Sequence, residues 1–203
     1  MAESMGKLSS KVDHTEAFKS VFFTLGDLKV GNVMTLRFPI REYARFLPRK
    51  LANIAFSKSQ LPSLLQLFSL TEDSSQGLDM KDIIDQCEFE PTKGETKACP
   101  TSLESMLEFV QSVIGAEASY NIHTTSYSTT SGARLENYTI LEISKDVYAP
   151  KWVACHPRPY PYALYYCHYL DIGSKVFKVL LRGQYGDIMD ALGICHLDTS
   201  DES

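Results

Sequence analysis

Three of the five cysteines in this 203-residue chain are followed directly by histidine: Cys155-His156, Cys167-His168 and Cys195-His196. Random placement of five residues of each kind in a chain of this length gives about 0.1 such dipeptides. The dyads fall at the ends of three candidate strands, residues 147–155, 162–169 and 187–196. Neighbouring side chains of a strand point to opposite faces. One face then receives the imidazoles His156, His168 and His196, and the other the thiols Cys155, Cys167 and Cys195. Converging imidazoles can bind a metal, and thiols behind them can pair or pack. A lone buried histidine or cysteine is more often an ordinary core residue, and three dyads at strand ends weigh against that reading. Ten residues separate the first two dyads and 26 the second two. This spacing does not fit a zinc finger with its short C-x₂₋₄-C pairs. An all-imidazole set suits copper(II), nickel or zinc.

The rest of the chain reads as helices first and strands later. Residues 1–20 are polar and aperiodic and read as a loose leader. Met34, Leu36 and Phe38 alternate with Thr35 and Arg37, as in a strand with one buried face. Leu61, Leu64, Leu65 and Phe68 form a helical stripe with Ser59 as its candidate N-cap. Asp79 is the candidate cap of a second helix carrying Ile83, Ile84 and Cys87. Thr101 and Glu104 match a capping box. They precede a third helix with Leu103, Met106, Leu107, Val110, Val113 and Ile114 on one face and Gly115 at its end. From residue 118 the pattern turns to strands: 138–143, the three dyad strands, and a hairpin of 175–181 with 187–196. The expected fold class is α+β, with short helices in the N-terminal half and a mainly antiparallel sheet carrying the dyads in the C-terminal half.

Composition removes several functions. A net charge of −5 argues against a nucleic-acid partner, and no apolar run is long enough to span a bilayer. Residues 1–20 contain no run like a signal-peptide core, so the chain as written is expected in the cytosol. Its five cysteines disagree with that address. Cys87 ends one predicted helix and Cys99 precedes the next, with Pro91 and Gly94 turning the chain between them, so a Cys87–Cys99 disulfide is expected in an oxidising compartment. Three thiols then remain, and at least one stays unpaired.

These residues together resemble a BURP domain, a module of plant proteins. The matching segments are Phe22-Phe23 with Asp27-Leu28 and Gly31, then Cys87-Glu88, Gly94-Glu95 with Lys97, and Cys99 with residues 101–106. They continue through Cys155-His156, Tyr160-Pro161-Tyr162, Tyr165-Tyr166-Cys167-His168 and residues 195–200. The reading is a leader over 1–20 and a BURP-like domain over 21–203. The family pattern carries four dyads and a closing tryptophan. Here three dyads are present and Trp152, the one tryptophan, stands upstream of them, so the domain is expected to be incomplete at its C-terminus.

The resemblance implies two kinds of function. Some BURP-domain proteins are copper-dependent enzymes that cyclise a peptide in their own chain through Tyr or Trp, with the dyad histidines holding copper. Others have no known activity and are seed, anther, cell-wall or stress-associated. The leader offers no Tyr or Trp to cross-link. The expectation is therefore a non-catalytic member of the developmental, cell-wall or stress-associated kind, with the peptide cyclase as the alternative. Copper, held weakly by His156, His168 and His196, is the expected cofactor. A metal ion or a cell-wall component, and neither nucleic acid nor membrane, is the expected partner. The family is usually secreted to the apoplast or cell wall.

Overall fold

The computed structural model of the chain describes residues 23–38, 45–46, 57–127 and 135–196. The expected leader and residues 197–203 lie outside them. The chain divides into two compact units, each assembled from separate stretches of sequence.

The first unit holds a five-stranded sheet in the order β1-β4-β7-β8-β3. Its strands are β1 (Val33–Arg37), β3 (Ser126–Tyr127), β4 (Leu135–Ile143), β7 (Ser174–Gly183) and β8 (Ile188–His196), of which Ser174, Lys175 and His196 belong to the second unit. The alternation read at Met34 and Leu36 is real, and both side chains are buried. They join Tyr138, Ile140, Val179, Leu181, Met189 and Ala191 in one core. The expected hairpin forms between β7 and β8 and closes through Gly183 N donating to Asp187 O. The two-residue strand β3, which the sequence analysis did not anticipate, pairs with Met189 and Asp190 on the other side of β8. A carboxylate also enters this core. Glu136 alternates inward with Tyr138 and Ile140, and its carboxyl lies over Gly183, 3.0 Å from where a side-chain carbon would stand. A side chain at 183 would require the Glu136 carboxyl to shift by a few tenths of an ångström.

The second unit combines helices with a three-stranded sheet. Helix α1 (Leu61–Leu67), α2 (Ser75–Glu88) and α3 (Leu103–Ile114) match the three helices expected, but not their caps. A 3₁₀ turn (Lys58–Gln60) leads into α1, so Ser59 sits inside that turn and Gln60 stands at the N-cap. Leu61, Leu64 and Leu65 pack on Met80 and Ile84 of α2. Helix α2 starts at Ser75, and its cap is Ser74, whose Oγ accepts from Gly77 N at 3.0 Å. Asp79 therefore lies inside the helix. Gly77 is required here because Thr71 O occupies the place of a Cβ. Helix α3 uses the box one residue later than expected. Ser102 is the N-cap and Ser105 the reciprocal partner, while Thr101 is buried before the helix and Glu104 lies in its first turn. There the carboxylate still favours the positive helix end. Gly115, at φ 107°, ends α3 as expected, but Leu103 is exposed and not part of the covered stripe.

The sheet of this unit has the order β2-β6-β5, with β2 (Glu95–Ala98), β5 (Ala154–Pro157) and β6 (Tyr165–Leu170). The strand expected over 147–155 shrinks to β5 because residues 144–153 are irregular. Pro150 cannot donate to a ladder. Residues 162–164 are buried but not extended into the sheet, and Tyr160 packs against the α1–α2 cluster rather than the strands. Strand β2 was not expected, because its sequence ETKA carries no apolar alternation. Among the described residues no helix is long and apolar enough to cross a membrane.

Candidate functional site

Strands β5 and β6 run antiparallel with Ala154 opposite His168, Cys155 opposite Cys167 and His156 opposite Tyr166. Residues directly opposite in such a pair share a face, and diagonal neighbours remain within reach of long side chains. Cys155 and Cys167 therefore face each other and are joined by a disulfide. His156, Tyr166 and His168 occupy the other face. The division of thiols from imidazoles expected from the dyads holds for these two, although the pairing of Cys155 with Cys167 was not specified.

The imidazoles meet at their Nε2 atoms, 3.4 Å apart. His196, from the end of β8, adds a third ring with its centre 5.9 Å from that of His168. Its Nδ1 is 3.0 Å from Ser174 Oγ. Among the described residues, no group of three His, Cys, Asp or Glu side chains is arranged so as to hold a metal ion. Two rings converge on one point, and the third stands beside them.

The support around His168 comes from β2. Glu95 Oε1 lies 3.5 Å from His168 Nδ1 and accepts from the Tyr166 hydroxyl at 2.8 Å. Glu95 Oε2 accepts from the backbone N and Oγ1 of Thr92. Burial opposes the charge of Glu95, but these donors and His168 outweigh it and hold the carboxyl below its usual range. The Tyr166 hydroxyl is pushed up, first by burial and then by Glu95, and stays protonated. His168 is lowered, chiefly by burial and against the pull of Glu95. His156 keeps an exposed edge but is pushed down to about 4. Loss of solvation on its packed side leads, followed by positive charge on His168, Arg158 and His196. Arg158 lies over the Tyr166 ring, 5.4 Å from its centre. Both imidazoles are thus neutral at pH 7, the form that donates a lone pair.

The remaining expected site residues fall as follows. Cys87 and Cys99 form the anticipated disulfide, which ties the last turn of α2 to the residue after β2. Cys195 is buried and belongs to neither disulfide. Glu95, Tyr166, Ser174 and Arg158 had no assigned role in the sequence reading. The same period-two rule that divides the dyads aligns Glu95 with His168, but only once β2 is known to pair with β6.

A BURP domain family model matches residues 21–203. The chain is 39% identical over 189 residues to BURP domain-containing protein BNM2C of Brassica napus, an alignment that covers 89% of this chain and 67% of that protein. It is 37% identical over 189 residues to BURP domain protein USPL1 of Arabidopsis thaliana, with 89% and 68% covered. Protein RAFTIN 1A of Triticum aestivum is 34% identical over 185 residues, with 89% of this chain and 47% of that protein covered.

Proposed function

Because the chain belongs to the BURP domain family, we propose that it is a non-catalytic plant BURP-domain protein of the developmental, cell-wall or stress-associated kind, whose dyad histidines bind one copper(II) ion. The observation that carries the metal reading is the 3.4 Å between His156 Nε2 and His168 Nε2. Two nitrogens each about 2.0–2.1 Å from one tetrahedral ion stand about that far apart, and the tetragonal geometry of copper(II) needs them to close to roughly 2.9 Å. The neutral state of both rings supports the same reading, because a protonated imidazole is no ligand. His196 stands beside this pair, its ring centre 5.9 Å from that of His168, and would have to turn toward them to add a third donor; an all-imidazole set favours copper(II) among divalent ions. A bound copper ion supplies redox chemistry. Against its use on this domain, the tyrosine beside the histidines is held as a protonated phenol, hydrogen-bonded to Glu95.

Calorimetric titration of the folded chain with copper(II) tests this. One site is expected, weakened by His168→Ala and by His156→Ala. Unchanged affinity in both variants would remove the shared site. Intact mass after copper treatment separates the two functional readings. An unaltered mass supports a binding protein, and a loss of two hydrogens per cross-link supports the peptide cyclase.

A further inference from the structure

Glu95 is a largely buried carboxylate whose side chain is fixed by several donors. It opens β2 immediately after Gly94, whose φ of 81° turns the chain into the strand, and Glu95 N donates to Thr92 O. Three donors then fix its carboxylate: Thr92 N at 3.0 Å, Thr92 Oγ1 at 3.2 Å and Tyr166 OH at 2.8 Å. Antiparallel pairing sets Lys97 opposite His168 and Glu95 opposite Leu170. Glu95 thus shares the histidine face, one diagonal step from His168. Its Oε1 reaches Nδ1 of that ring at 3.5 Å, while Nε2 of the same ring meets His156.

The two nitrogens of a neutral imidazole cannot both carry the proton, and the partner of one decides the state of the other. The geometry assigns Glu95 as a positioning residue: its carboxylate, immobilised by Thr92 and Tyr166, keeps the His168 proton on Nδ1 and turns the Nε2 lone pair toward His156. Carboxylates placed behind ligating histidines act in this way at metal centres, and their removal typically costs 10- to 100-fold in affinity. The inference deepens the metal reading above and rests on it for its consequence in affinity. The tautomer itself can be measured without metal.

The experiment is nitrogen-15 NMR of the His168 ring at pH 7 in metal-chelated protein, followed by calorimetric zinc titration. The folded wild type is expected to carry the proton on Nδ1. Glu95→Met, which removes the acceptor, is expected to move it to Nε2 and to weaken zinc 10- to 100-fold. Glu95→Gln restores an acceptor oxygen and is expected to return the Nδ1 tautomer with a smaller loss of affinity. A wild-type ring protonated on Nε2 overturns the inference with no variant needed. So does a Glu95→Met protein that melts lower with its tautomer unchanged, which makes Glu95 a purely structural residue. If zinc and copper(II) both fail to bind wild type while the tautomers behave as expected, the metal reading falls and the positioning of His168 stands.

Discussion

Cys155 and Cys167 stand directly opposite each other in the β5–β6 ladder and are bonded, so the link that joins the two strands also holds the register that sets His156 diagonal to His168. A slip of one residue between the two strands would send one imidazole to the thiol face and part it from the other. The disulfide behind the site and the imidazoles in front of it are two products of one dipeptide repeated.

That relationship separates the two disulfides by function. Both span 12 residues, so the chain-entropy model gives each about 3 kcal/mol of stability. Replacing Cys155 and Cys167 by serine should lower stability by about that amount and also weaken copper. Replacing Cys87 and Cys99 should lower stability comparably and leave copper affinity near wild type. Urea unfolding and copper titration of the two double variants check this. Equal affinity losses would show that the register clamp has no special bearing on the histidines.

Acid should destabilise the domain before its carboxylates titrate. His156 lies near 4 when folded against an ordinary 6.5, and His168 is lowered in the same direction. As pH falls below 6.5 the unfolded chain binds protons that the folded chain refuses, so stability declines toward pH 4. The contribution is fully present above pH 6.5. Urea midpoints at pH 7.5 and 5.5 should differ in that sense, and His156→Asn should reduce the difference. An NMR titration placing the folded His156 midpoint at 6.5 would refute the account.

The start of α3 offers a test between two adjacent hydroxyls. Ser102 Oγ accepts from Ser105 N at 3.1 Å, and the Ser105 hydroxyl answers the Ser102 backbone. Ser102→Ala should cost about 1 kcal/mol through the lost cap. Thr101→Val, which removes the hydroxyl at the position first expected to cap and keeps its shape, should cost less. Thermal unfolding ranks them, and the reverse order would return the cap to Thr101.

Gly94→Ala should be destabilising for two reasons. The residue has φ 81°, and a Cβ there would stand 2.2 Å from Asp171 Oδ1. The left-handed backbone alone costs roughly 1–2 kcal/mol for an L side chain. Because Glu95 follows directly, the variant should also disturb the His168 ring resonances. A stable variant with unchanged His168 signals would show that the turn at 94 does not position β2.

The local elements were legible because their signals are local. Met34 and Leu36 alternate, three helices carry apolar stripes, Gly115 stops one of them, and a Cys-His dipeptide must divide its side chains between two faces of any strand. Cap choice lay at the limit of that legibility, since Thr101 and Ser102 both offer a hydroxyl and both are buried, and only the backbone geometry that puts Ser102 at the extended position before α3 makes it the cap. The partnerships were not legible. Glu95 is bonded to Tyr166 across 71 positions of sequence, and its strand has no apolar alternation to announce it. Ladder hydrogen bonds form between backbones and carry no mark of which distant strand supplies the partner. The amino-acid sequence by itself determined that thiols and imidazoles would part; only the closure of β2 and β5 on either side of β6 decided that two imidazoles would meet with a carboxylate behind one of them.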